Sequence, residues 1–125
     1  MEDSILKYVA DKQLTSCMNK TKWKELISEL SSIENYEPMV NIKLIFDQES
    51  NDQFSAVRWN EVERNGFELI EWIKINPIRV DIAGRLMDNQ ETDFTEALRN
   101  ALDKHAIQYE YDRPIFTVYG YRRMN

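Results

Sequence analysis

Residues 40–46 read Val40-Asn41-Ile42-Lys43-Leu44-Ile45-Phe46, and their alternation decides the fold class. Successive side chains of a strand point to opposite faces. Val40, Ile42, Leu44 and Phe46 are therefore expected on one face, with Asn41, Lys43 and Ile45 on the other. Upstream the period differs. Trp23, Leu26, Ile27 and Leu30 recur at helical spacing, with Lys24, Glu25, Ser28 and Glu29 on the opposite side. Asn19 or Thr21 supplies the side-chain acceptor that opens this helix, which runs to about Ser32. Pro38 then marks the passage from helix to strand. An earlier helix is expected over residues 3–14, capped by Asp3 and carrying an apolar stripe of Ile5, Leu6, Val9 and Ala10; residues 15–20 break it.

Downstream, residues 47–56 form a polar loop, and residues 57–59 suit a short extended piece. Asn65-Gly66 marks a turn. The stretch 67–75 is apolar on both faces, which suits a central strand. Pro77 ends it, because proline has no amide to donate to a ladder. A further strand over 78–83 closes at Gly84. The clearest helix spans 93–105. Asp93 and Glu96 have the spacing of a capping box, and Phe94, Ala97, Leu98, Ala101 and Leu102 form the buried stripe. Residues 108–111 and 115–121 read as a hairpin around Asp112-Arg113-Pro114, with Ile115, Thr117, Tyr119 and Tyr121 on one face and Phe116 and Val118 on the other. There is no alternating βαβ order and no internal repeat. The expectation is a single α+β domain over residues 1–125, with a largely antiparallel sheet and the two N-terminal helices and one later helix packed on it.

Composition agrees. The 125 residues are 42% hydrophobic and 30% charged, ordinary values for a folded chain. At this length roughly two-thirds of the unfolded surface can be buried, so no disulfide or metal staple is required. No apolar run reaches the ~18 residues of a membrane helix. The start of the chain lacks a basic region followed by an apolar one, so no secretory signal is read there. Cys17 is the single cysteine, and no intramolecular disulfide can form. A reducing cytoplasm is the expected compartment.

The net charge is −6, and it is unevenly spread. Seven acids against two arginines lie between residues 45 and 72, and seven acids against Arg99 and Lys104 lie between residues 86 and 112. Such a surface disfavours nonspecific nucleic-acid binding, which needs clustered Lys and Arg. A solvated, solubilising face is the commoner meaning of such charge; attraction of a basic partner is the functional one.

Chemical motifs are absent. Gly66, Gly84 and Gly120 are isolated, so there is no phosphate-binding loop. One His and one Cys, 88 residues apart, make no zinc pattern, and no EF-hand spacing occurs. No cofactor or metal ligand set is expected. His105 suits the C-terminal end of the third expected helix, where a cationic imidazole favours the helix dipole. A catalytic role for it has no further support. Tyr109, Tyr111, Phe116, Tyr119 and Tyr121 have the composition of a base-stacking platform, yet aromatics alternating along strands more often pack a sheet. Glu61 and Glu63 share a face if the chain is extended there, an arrangement a hydrolase can use, although a solvated loop explains it more simply.

The string Leu14 to Leu26, with Met18-Asn19-Lys20-Thr21-Lys22-Trp23 at its centre, resembles the start of a family of small bacterial proteins of unknown function. The resemblance continues at Glu71-Trp72-Ile73-Lys74-Ile75-Asn76-Pro77 and at Tyr119-Gly120-Tyr121. It implies an α+β domain of this size and supplies no catalytic residues. In size, acidity and lack of an active-site motif the chain is also similar to the immunity proteins of bacterial contact-dependent growth inhibition systems.

That character implies a non-enzymatic inhibitor of a cognate basic toxin domain, most readily a nuclease whose phosphate-binding site carboxylates can occupy. Asp47, Glu49, Asp52, Glu61 and Glu63 are the expected partner-binding residues, because their loop carries few apolar anchors. Two alternatives stand beside it. A small enzyme using Asp or Glu would be marked by a pocket of perturbed carboxylates. A housekeeping adaptor would be marked by an exposed apolar patch.

Overall fold

Asn19 opens the longest helix by local chemistry: its Oδ1 accepts a hydrogen bond from Lys22 N at 2.8 Å, satisfying an amide with no partner inside the helix. The computed structural model describes residues 2–48, 53–81, 84 and 88–123. Among these, the order is α1 (Glu2–Asp11), β1 (Leu14–Ser16), α2 (Lys20–Ser32), β2 (Met39–Leu44), β3 (Ser55–Ala56), α3 (Trp59–Asn65), β4 (Ile70–Asn76), β5 (Ile78–Asp81), β6 (Gln90–Asp93), α4 (Thr95–Lys104), β7 (Glu110–Asp112), β8 (Ile115–Tyr119) and β9 (Tyr121–Arg123). A 3-10 turn, Phe67–Leu69, leads into β4. The protein is a mixed α+β structure with antiparallel sheets.

The main sheet has the order β3-β2-β4-β8-β7, every neighbour antiparallel. Register explains its core. Ile73 lies opposite Ile42 and Val118, and Ile75 lies opposite Val40 and Phe116. These residues meet Trp23, Leu26 and Leu30 of α2 and Leu98 and Leu102 of α4 in one apolar cluster. The two-residue alternation expected for Val40, Ile42 and Leu44, and for Phe116 and Val118, is realised. A bulge modifies it in β4. Lys43 pairs with Trp72 but Leu44 pairs with Ile70, leaving Glu71 as an extra residue. The shift lets Ile70 and Ile73, an odd number of positions apart, both join the core. It also sends the Glu71 carboxylate to Lys43 Nζ at 3.1 Å.

Several expectations are corrected. The strand at 40–46 ends at Leu44; Ile45 is fully buried, and Phe46 turns outward to pack edge-on against Tyr8 at 5.0 Å. The extended piece expected at 57–59 ends at Arg58, because α3 begins at Trp59, and Trp59 and Val62 reach the core from one side of it. There are thus four helices among the described residues, with one between the N-terminal pair and the last. The first helix stops at Asp11; Ile5 is buried and lines the same hollow as Met18, Trp23 and Phe67, while Leu6 is exposed. The segment after it is no simple break, since β1 pairs with β9 at the far end of the chain. The strand at 78–81 pairs with β6, which the sequence did not suggest.

The last helix begins at Thr95 without a capping box. Asp93 Oδ1 accepts from Thr95 N at 2.8 Å and from the Thr95 hydroxyl, while Glu96 turns to Arg99. These bonds hold the Asp93 carboxyl below its ordinary range. The helix ends in a Schellman motif. Ile107 N donates to Leu102 O and Ala106 N to Asp103 O, at 2.9 and 3.1 Å, and Ala106 takes a left-handed φ of 53°. Leu102 and Ile107, the apolar pair that accompanies such an ending, are both buried.

Candidate functional site

Gly66 shapes a broad hollow beside α2. It ends α3 with φ 107°, a conformation that side chains resist, and the chain then doubles back so that Phe67 stacks on Trp23 at 6.3 Å. Met18, Trp23 and Phe67 floor a cleft of about 770 Å³, and Leu6 stands at its edge. Glu63 and Glu68 line it together with Lys20 and Arg64, so its walls carry both signs. Tyr121 crosses one end, its hydroxyl donating to Glu68 O at 2.8 Å. Burial, aided by the nearby Glu68 charge, raises that phenol above its ordinary range.

Three distant segments meet beside the cleft. Cys17 N donates to Gly120 O and Gly120 N to Glu71 O, both at 2.8 Å. Gly120 sits so close to the Ile70 carbonyl and the Trp23 ring that no Cβ fits. Cys17, Trp23, Glu71 and Gly120 thus tie the start of α2, β4 and the β8–β9 junction together. Their roles here are structural.

The expected partner-binding carboxylates are scattered. Asp47 is exposed in the turn after β2; its Oδ2 accepts from Leu44 N at 3.1 Å. Glu49 and Asp52 lie outside the described residues. Glu61 and Glu63 do not share a face, because α3 turns about 200° over two residues. Glu61 lies 3.5 Å from Arg58 and borders a hollow of about 410 Å³ beside β2 and β3. Glu63 lies 3.5 Å from Lys24 on α2 and borders the large cleft. An acid pair of the hydrolase type is therefore not formed by these two.

The C-terminal aromatics pack on one another. Tyr109 and Tyr111 contact Phe116 at 5.3 and 4.7 Å, and Phe116 is fully buried. Arg122 stacks over Tyr119 at 4.5 Å while bonding Glu110, which also accepts from the Tyr119 hydroxyl. Cys17 is half-buried. Burial pushes its thiol up despite Arg122, which disfavours a nucleophilic thiolate.

One constellation was missed in the sequence. His105, the C-cap of α4, lies between two carboxylates of α2: Nδ1 is 2.6 Å from Glu25 and Nε2 is 2.8 Å from Glu29. With both ring nitrogens occupied by carboxylates, the imidazole is no free general base. The signal available was Glu25 and Glu29 on one helical face, four residues apart; their meeting with residue 105 was not.

Among the described residues, no group of three His, Cys, Asp or Glu is placed to hold a metal ion, and no helix is long and apolar enough to cross a membrane. No curated protein and no solved structure matches the chain. A model of a family of unknown function, DUF6678, matches residues 5–125, nearly the whole sequence, and the protein belongs to that family.

Proposed function

We propose that this protein is a cytoplasmic binding protein, not an enzyme, and that it acts as an immunity-type inhibitor. Its partner is a cognate basic toxin domain, in the simplest case an RNase or tRNase of a contact-dependent growth inhibition system. The supporting observation is the state of the α3 carboxylates. Glu61 and Glu63 are half-exposed and, among the described residues, are held by 3.5 Å pairs to exposed basic side chains. Such pairs contribute little to the fold and exchange readily for a partner's Arg or Lys. Asp47 adds a third exposed carboxylate, and the net charge of −6 supplies long-range attraction. Carboxylates presented this way suit occlusion of a phosphate-binding site.

The test is co-purification with, and binding to, the product of the gene upstream of this chain's, with any toxic activity of that product followed in parallel. The combined Asp47→Asn, Glu61→Gln and Glu63→Gln variant removes charge and keeps size. Association is expected to slow about tenfold, most at low salt. Association rates indifferent to both substitution and salt would remove the electrostatic basis. Failure to bind or inhibit that product at all would remove the reading itself.

A further inference from the structure

An imidazole with carboxylate oxygens at both nitrogens must donate twice, and only the protonated ring has two N–H groups. His105 is held in that way, with Glu25 Oε2 at 2.6 Å and Glu29 Oε1 at 2.8 Å. We infer that His105, Glu25 and Glu29 form a protonation-dependent latch that fastens the C-terminal end of α4 to α2. The inference stands independently of the proposed inhibitor function.

The surroundings favour a defined device over a loose surface pair. Glu25 and Glu29 are four residues apart and so project from one side of α2. The His105 side chain is about one-fifth exposed, and Glu29 is little more so. Lys104 Nζ reaches Glu29 Oε1 at 3.0 Å. Lys22 Nζ, also from α2, donates to Ala106 O at 2.8 Å. The charged groups shown at this junction are therefore Glu25, Glu29 and Lys22 from α2, with Lys104 from α4. The Schellman motif fixes the position of His105 through backbone bonds alone. Loss of its charge therefore acts on the attachment between the helices and leaves the helix ending intact.

The sign follows from the proton count. Below the titration of the ring, both bonds are made. As the pH rises through it, the neutral ring keeps one N–H and turns a lone pair toward the other carboxylate. One bond becomes a repulsion, and the other imidazole bond, Lys22 and Lys104 are left as links. On the acid side the latch opens again when the carboxylates take up protons. Hydrogen bonds from His105, and then from Lys104, hold Glu29 below the ordinary carboxylate range, which extends the closed interval downward.

The experiment compares the whole chain with His105→Gln and Glu25→Gln. Denaturant unfolding is measured between about pH 5 and about pH 7.5, where histidine changes charge and ordinary carboxylates do not. The wild-type unfolding constant is expected to rise several-fold more across this interval than that of His105→Gln, because only the wild-type chain has a ring proton held between two carboxylates to lose. Glu25→Gln retains the ring but removes the charge facing Nδ1, and its pH dependence should be correspondingly weaker. Proton NMR of the chain's single histidine supplies a second readout. The amides of residues 25, 29 and 106 should shift with the same midpoint as the ring. Parallel pH profiles for all three chains, or amides indifferent to ring titration, would overturn the latch. A variant that fails to fold leaves the wild-type NMR titration to decide.

Discussion

Gly120 lies against the main-chain carbonyl of Ile70, and the space a side chain would need is already occupied. An added Cβ would fall inside van der Waals contact with that oxygen and 3.2 Å from Cζ2 of Trp23. The carbonyl belongs to a central strand and cannot swing aside as a flexible side chain would. Gly120→Ala is therefore expected to destabilise by about 3 kcal/mol, the upper part of the range for overpacking. The shift in urea midpoint measures it, and an unchanged midpoint would mean that the strand junction relaxes freely.

Ala106 sits at a left-handed φ of 53° after α4. An alanine there opposes its own Cβ, whereas glycine does not. Ala106→Gly is expected to stabilise by about 0.5–1 kcal/mol, after allowance for the greater freedom of glycine in the unfolded chain. Thermal unfolding checks the sign. A lower midpoint for the glycine variant would contradict the strain.

Leu98 is fully buried, one turn into α4, within the main apolar cluster. Leu98→Ala should cost about 2–4 kcal/mol, combining lost transfer energy with the cavity left behind. Leu6 offers the contrast. It is 67% exposed although it belongs to the expected stripe of α1. Leu6→Ala should change stability by less than about 0.5 kcal/mol.

Tyr36 donates its hydroxyl to Asn76 O at 2.6 Å and packs on Phe94 at 4.8 Å. Burial raises the phenol well above its ordinary range. The folded state then keeps a proton that the unfolded chain releases above about pH 10, so stability falls as the pH climbs past that value. Tyr36→Phe should lose about 1 kcal/mol at neutral pH and show a shallower alkaline decline. Equal alkaline slopes would place the effect at other tyrosines.

Signals confined to a few neighbouring residues were legible. Asn19 capped α2 because its acceptor lies three residues from the amide it satisfies. Asn65-Gly66 read as a turn and Gly66 takes a φ that suits glycine, and Val40, Ile42 and Leu44 alternated as a strand must. The seven residues of α3 were not legible as a helix: Trp59 and Val62 supply only two apolar points, too few to distinguish one period from another. That omission also misplaced Glu61 and Glu63, which an extended chain would have aligned and a helix separates.

The remaining features arise from segments far apart in sequence. Leu14–Ser16 becomes a strand because Tyr121–Arg123 arrives beside it, and three residues carry no period of their own. The extra residue at Glu71 is fixed by the register of β2 against β4. His105 meets Glu25 and Glu29 because α4 docks on α2 across the shared core. Periodicity and capping are properties of neighbours along the chain, and for α2, α4 and the sheet interior they already set the type of structure. Pairing between distant segments is settled only when the whole core is buried together, since the closure entropy of each long loop is repaid by contacts that no single segment contains.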